Sequence, residues 1–176
     1  LERAIAEGKT VLGEICGFGS TMDAYKVTAP APDGQGTIRA MQNACADAAI
    51  APLSIGHVNA HGTGTLLNDE IEASAIRAVL PDTWRHVPVS SVKSMTGHLI
   101  GACGAVELGA ALLAFGRNVL PPNPSLEHVG SGCELCHVTE LGTTFESEYI
   151  LKISIGFGGQ NASLVLRRPE ATRTLL

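Results

Sequence analysis

Two histidines in this sequence stand just past apolar, strand-like runs, each beside glycine: His61 in His61-Gly-Thr-Gly-Thr65, and His98 in Lys93-Ser-Met-Thr-Gly-His98. Ligands of α/β sheets bind at the carboxyl ends of strands. Glycines there let a substrate approach the backbone, and the hydroxyls of Thr63 and Thr65 can hydrogen-bond a polar chain. Taken alone, His61 reads as the cap of a turn rather than as a ligand-binding group. Lys93 lies in a stretch otherwise without charge, and Glu107 sits in the middle of an apolar one. A buried charge needs an opposite partner, so the two are expected to answer each other, directly or through a small network; the alternative is that both reach solvent. Gly156-Phe-Gly-Gly159 forms a third group. Its glycines, Gly158 among them, permit backbone angles closed to other residues and can turn N–H groups toward an oxyanion, and Phe157 between them can swing as a gate.

Cys133-Glu-Leu-Cys136-His137 fits the pattern for covalent haem attachment and offers two thiolates to a metal. No methionine stands out as a second axial ligand. No second ligand pair has zinc spacing, His128 and His137 being only loosely placed. The run is read as small residues entering a strand, and neither metal nor haem is assigned.

Composition narrows the classes. The chain has 176 residues, 45% of them hydrophobic and 16% charged, enough apolar surface to offset chain entropy. Twelve Lys and Arg against 17 Asp and Glu give a net charge of -5, the wrong sign for a phosphate-backbone binder. At 4% aromatic residues, stacking platforms for single strands are missing as well. Five scattered cysteines do not form a disulfide framework and suit a reduced, cytoplasmic compartment. The charged, helical opening Leu1-Glu-Arg-Ala-Ile-Ala-Glu7 does not read as a signal peptide. A first residue other than methionine leads to the expectation of a longer reading frame. Residues 99–116 are long and apolar enough to suggest a membrane span, but Glu107 at their centre argues for a buried helix and no span.

The elements that must position these groups follow from periodicity and punctuation. Residues 1–8 read as the end of a helix stopped by Gly8, residues 10–18 as a strand, and residues 19–36 as a long loop marked by Pro30, Pro32 and Asp33-Gly34. A helix is expected over 37–49, a strand over 55–60, and a helix from an Asn68 or Asp69 cap to Leu80, with Glu70 and Glu72 in its first turn. A strand over 87–92 precedes a helix over 99–115. That helix is apolar nearly all round, and its small residues Gly101, Ala102, Gly104, Ala105 and Gly109 invite close backbone neighbours. A short strand is expected over 133–138, and strands over 149–155 and 162–167 form a hairpin around the glycine turn. Alternating strands and helices closed by a strand pair make an α/β layered architecture: one folded unit over 1–168, with a tail over 169–176.

Together the motifs resemble the C-terminal half of a β-ketoacyl synthase, a thiolase-like condensing enzyme of fatty-acid and polyketide synthesis. The resemblance rests on Val58-Asn-Ala-His-Gly-Thr-Gly-Thr65, on Val89-Ser-Ser-Val-Lys-Ser-Met-Thr-Gly-His-Leu-Ile-Gly-Ala102 and on Gly156-Phe-Gly-Gly159, with Gly17-Phe-Gly19, Asp23-Ala-Tyr25 and Pro121-Pro-Asn123 in support. It implies a layered α/β/α half-fold with a mixed five-stranded sheet and helices on both faces. It implies that His61 and His98 bind the thioester carbonyl of a malonyl-carrier protein while decarboxylation forms an enolate. That enolate attacks an acyl group held on a cysteine. Lys93 matches the family lysine and Glu107 the glutamate of its network. Thr63 and Thr65 match contacts to the pantetheine arm, with Thr28 placed alongside them. Phe157 matches the gate, its N–H serving a second oxyanion hole, and Gly158 belongs to the same substrate-contacting turn.

The sequence departs from the family in two respects. No cysteine here has the context of the family nucleophile, so that group is expected from an N-terminal half. Ile153 stands where many relatives carry asparagine. This removes an amide near a cation site reported for some members, while Asn59 and Glu107 keep two of its expected ligands; no metal is assigned. The resemblance implies no resident cofactor, since phosphopantetheine arrives on the carrier protein. The implied partners are an acyl carrier protein, an N-terminal ketosynthase half, and a second subunit in a homodimer or heterodimer. A non-catalytic partner of the chain-length-factor type is the competing reading. Alone, this half is expected to be poorly soluble.

Overall fold

The computed structural model describes residues 1–169; of the expected tail, only Pro169 falls among them. The centre is a hairpin of β5 (Tyr149–Gly156) and β6 (Gln160–Arg167), antiparallel from Tyr149 opposite Arg167 to Gly156 opposite Gln160. Successive side chains of a strand point to opposite faces, so Leu151, Ile153 and Ile155 go one way and Ile150 and Lys152 the other. The first set packs with Met41, Ala44, Val58, Ile76 and Val165. These side chains bring in two helices, α2 (Gln35–Asp47) and α3 (Leu66–Val79). Ile150 and Leu166 pack on the opposite face with Ala111, Ala114, Phe115 and Phe145, the alanines and Phe115 coming from α5 (Cys103–Arg117). Helices therefore lie on both faces of the sheet. Each fully buried large apolar side chain contributes roughly 1.5–3 kcal/mol.

β2 (Ile55–Asn59) runs parallel to β5 on one side and to β3 (Pro88–Ser90) on the other, with Asn59 beside both Lys152 and Ser90. The sheet order is β1-β6-β5-β2-β3-β4. It has six strands where the resemblance implied five; β4 (Cys136–His137), shorter than the strand expected over 133–138, pairs with β3 through two residues at the edge.

Three local expectations need correction. The first strand is not 10–18: β1 spans Glu14–Met22 and pairs with β6 along its length, so the start of the expected loop is strand. Like Gly17, Gly19, expected to open the loop, is a strand residue there. A Cβ on either would lie 2.1 Å from the carbonyl oxygen of Ala44 and 2.0 Å from that of Ala40 respectively, so these glycines let β1 lie directly against α2. Second, α3 starts earlier than expected. Thr65 is the residue at its N-terminus, leaving Glu72 in the second turn and buried. Third, the 99–115 helix is not enclosed. A turn of 3-10 helix over Ile100–Ala102 leads into α5, and only Cys103, Glu107, Ala111, Ala114 and Phe115 of α5 are buried. Apart from adjacent residues and the helix's own backbone, nothing described lies within 4 Å of where a Cβ would stand on Gly101, Gly104 or Gly109. Leu113 and Ile100 are 65% and 79% exposed, and Ile15 and Phe18 of β1, on the same side of the sheet, are also exposed. Ile100–Arg117 is by length and composition able to cross a membrane.

The hairpin and Gly8 agree with expectation. Gly8 follows the short helix α1 (Glu2–Ala6) in the left-handed conformation, at φ +64°.

Candidate active site

Because β2 and β3 are parallel neighbours, the segments leaving their carboxyl ends run side by side. Ala60 N–H donates to Ser90 O at 2.9 Å. Ser91 Oγ lies within hydrogen-bonding reach of the carbonyls of His61, at 3.2 Å, and Gly62, at 3.0 Å. Glu72 reaches across from α3 and accepts the N–H of His61 at 2.6 Å and of Gly62 at 2.8 Å. Burial pushes its carboxyl pKa up, against the pull of those two donors. The loop carrying His61 is thus bound on both sides before any substrate arrives.

Lys93 opens the one-turn helix α4 (Lys93–Thr96) and is buried. Its ammonium faces three acceptors: His61 O at 2.5 Å, His61 Nδ1 at 3.1 Å and Glu107 Oε1. The side chains of Lys93 and Glu107 are 5% and 1% exposed, so the solvent-facing alternative fails and the expected pairing holds. An ammonium has only protons to offer, so Nδ1 of His61 accepts and its ring proton resides on Nε2. Burial first, then the Lys93 charge, lowers the His61 pKa to about 3. The ring is neutral at physiological pH and presents Nε2–H.

His98 lies in the segment between α4 and α5, with its ring centroid 5.5 Å from that of His61 and the planes at 86°. Its Nδ1 accepts the Ile100 N–H at 3.1 Å, with Cys103 Sγ 3.3 Å away. The Leu99 N–H donates to that sulfur at 3.1 Å. The same reasoning leaves the proton of a neutral His98 on Nε2. The two imidazoles come from separate strand ends into edge-to-face contact, each with its Nδ1 engaged. Unlike His61, His98 is exposed.

The other oxygen of Glu107 accepts no hydrogen bond among the described residues but forms an ion pair. Lys152 Nζ lies 2.7 Å from Glu107 Oε2, with the Ile153 carbonyl at 3.0 Å and Ser154 Oγ also in contact. Asn59, beside Lys152 in the sheet, donates from Nδ2 to the Glu107 carbonyl at 3.0 Å.

A cavity of about 670 Å³ beside His98 is walled in part by Lys93, Thr63 and Thr65; His61 itself is not among the residues lining it. The two threonine hydroxyls are 2.8 Å apart. Thr28, Phe157 and Gly158 do not line it. Phe157 is 77% exposed at the tip of the β5–β6 turn. The Gly158 N–H donates to Val27 O at 2.6 Å, which fixes the loop carrying Thr28 to that turn. Asp23 reinforces the join: its N–H donates to Gly159 O at 2.8 Å, and its carboxylate accepts from Asn161 Nδ2 at 2.7 Å and Ala31 N at 2.9 Å. In the Cys-x-x-Cys-His run, His137 Nε2 lies 2.9 Å from Cys133 O and is engaged within its own loop.

Sequence reasoning missed Glu72, Lys152 and Cys103 as parts of this site. Two of them left a signal. Glu72 falls four residues before Ile76 on the buried stripe of α3, and Lys152 alternates with Ile150 on a strand covered on both faces. Cys103 left none.

Residues 12–127 match the family model described as beta-ketoacyl synthase, C-terminal domain. The 3-oxoacyl-[acyl-carrier-protein] synthase 2 of Coxiella burnetii is 42% identical over 168 residues, covering 96% of this chain and 41% of that protein. A type II polyketide ketosynthase, solved with its acyl carrier protein and bound to a hexaketide, superposes with TM-score 0.92 at 32% identity, covering 96% of this chain and 41% of that one. A ketosynthase solved with its chain length factor, from Xenorhabdus doucetiae, gives TM-score 0.80 at 35% identity, covering 92% and 40%. The chain spans about two fifths of the length of the relatives it matches.

Proposed function

This chain belongs to the β-ketoacyl synthase family through its C-terminal domain, and on that footing we propose that it supplies the decarboxylating half of a condensing active site. A malonyl thioester delivered on the phosphopantetheine arm of an acyl carrier protein enters beside Thr63 and Thr65. Its carbonyl oxygen takes the Nε2–H groups of His61 and His98. When the bond to the carboxylate carbon breaks, CO2 leaves. The electron pair moves into the thioester as an enolate, whose charge gathers on that oxygen. Two imidazole N–H donors placed there would stabilise it without giving up a proton; one such donor contributes about 10²–10³ in rate. The enolate carbon then attacks an acyl thioester on a cysteine outside this chain, and the thiolate is the leaving group.

The observation that carries this reading is the pair of rings 5.5 Å apart, each with Nδ1 occupied by a donor. It favours an enzyme over a chain-length-factor type of partner, which needs neither imidazole. Exposed Ile15, Phe18, Ile100 and Leu113 leave an apolar face on the α5 side of the sheet, where the N-terminal half would pack and also close the site over His98. No resident cofactor is proposed. A cytoplasmic location and a dimer of the complete protein, with itself or a sister subunit, belong to the same proposal.

The test is reconstitution with an N-terminal ketosynthase half bearing the nucleophilic cysteine. Malonyl-carrier protein should be decarboxylated and condensed with a supplied acyl thioester. A correctly assembled complex, both histidines intact, that does neither would refute the proposal.

A further inference from the structure

The three partners of the Lys152 ammonium are all oxygens: a carboxylate oxygen of Glu107, the Ile153 carbonyl and the Ser154 hydroxyl. Asn59 adds Oδ1 on the same side of the sheet, buried and without a hydrogen-bond partner among the described residues, and Glu107 Oε2 likewise meets the ammonium as an ion pair at 2.7 Å rather than as a formed hydrogen bond. Hard oxygen donors of this kind hold alkali or alkaline-earth cations, and the family resemblance points to a cation near Asn59 and Glu107. The residues present do not fit one. The ammonium is already seated on three of those oxygens, with its side chain only 3% exposed.

Charge leads to the same conclusion. The buried groups around Glu107 are Lys93 and Lys152, and Glu72 is the further buried carboxylate that interacts electrostatically with both lysines. Two cations face two carboxylates, and a metal ion would add an unbalanced charge in a site that water does not reach. We propose that Lys152 is a built-in cation: its ammonium occupies the oxygen cage beside Glu107, so that this protein needs no metal ion there.

The proposal concerns ion requirement and stability, and it stands whether or not the chain decarboxylates thioesters. Thermal unfolding of the full-length protein is compared in potassium chloride and in choline chloride at matched ionic strength. The unaltered protein should melt at the same temperature in both. Lys152→Ser, which empties the cage, should melt roughly 10 °C lower in choline and recover at least half of that loss in potassium. Lys152→Met, which fills the space without charge, should be lowered equally in both salts. Potassium-specific stabilisation of the unaltered protein would overturn the proposal, as would a folded serine variant indifferent to potassium. Should neither variant fold, the comparison on the unaltered protein decides alone.

Discussion

Lys93 Nζ stands 3.1 Å from Nδ1 of His61 while also contacting a carboxylate oxygen of Glu107. The lysine therefore joins the buried charge network to the ring that would meet substrate, and it fixes where that ring keeps its proton. Replacing it with Met leaves Nδ1 without its donor, so both tautomers become populated. Decarboxylation in the reconstituted protein should fall about 10²-fold, and nitrogen NMR should show Nδ1 of His61 passing from a single acceptor state to a mixture. Lys93→Arg should not rescue, because a planar fork cannot reproduce three tetrahedral contacts.

Glu72 accepts two backbone N–H groups from the loop that carries His61. Glutamine in its place keeps one acceptor oxygen and turns an amide donor toward one of those N–H groups. Hydrogen bonds to a charged group contribute about 1.5–3 kcal/mol each, so Glu72→Gln should lower stability by about 2 kcal/mol. The urea midpoint should shift at unchanged slope. The same variant should lower kcat/KM as well, since the displaced loop bears both His61 and the threonine pair that follows it.

Acid should destabilise the fold through two histidines. Burial lowers the pKa values of His57 and His61 to about 3, against about 6.5 in an unfolded chain. Below 6.5 the unfolded chain takes up protons that the folded chain refuses, so stability is lost as pH falls from about 6.5 toward 3. Each imidazole accounts for roughly 2 kcal/mol between about pH 7 and pH 5. Glu72 acts in the opposite sense, since its raised pKa lets the fold keep a proton above 4.5, but one carboxyl offsets at most part of two imidazoles. Urea unfolding at the two pH values should show the loss, and His57→Gln, which can keep a contact to Ser90, should roughly halve it. Decarboxylation of bound substrate should show no step near pH 6.5 attributable to His61.

What the sequence made legible divides along physical lines. The strands that deliver His61 and Lys93 are short apolar runs ending in turn residues, and their pairing follows once they are parallel neighbours. The Lys93–Glu107 pair follows from the cost of an unanswered buried charge. The second half of β1 was obscured because Gly19 opens a stretch rich in loop residues, whereas the role of Gly19, as of Gly17, is a tertiary contact with α2 that no local pattern reveals. The bare side of α5 was misjudged for a related reason. An apolar surface announces that it needs cover but not which segment provides it. Lys152 leaves a signal in its strand, but the carboxylate it meets comes from α5, which the strand's own pattern does not reveal.

The central claim is that His61 and His98 serve one oxygen, and a double-mutant cycle on malonyl-thioester decarboxylation by the reconstituted protein tests it most directly. His61→Ala and His98→Ala should each lower kcat about 10²–10³-fold, and the double variant should fall by far less than the product of the two, because groups that act as a unit are non-additive. Full decarboxylation retained after loss of either imidazole, or strictly multiplicative losses in the cycle, would contradict the account.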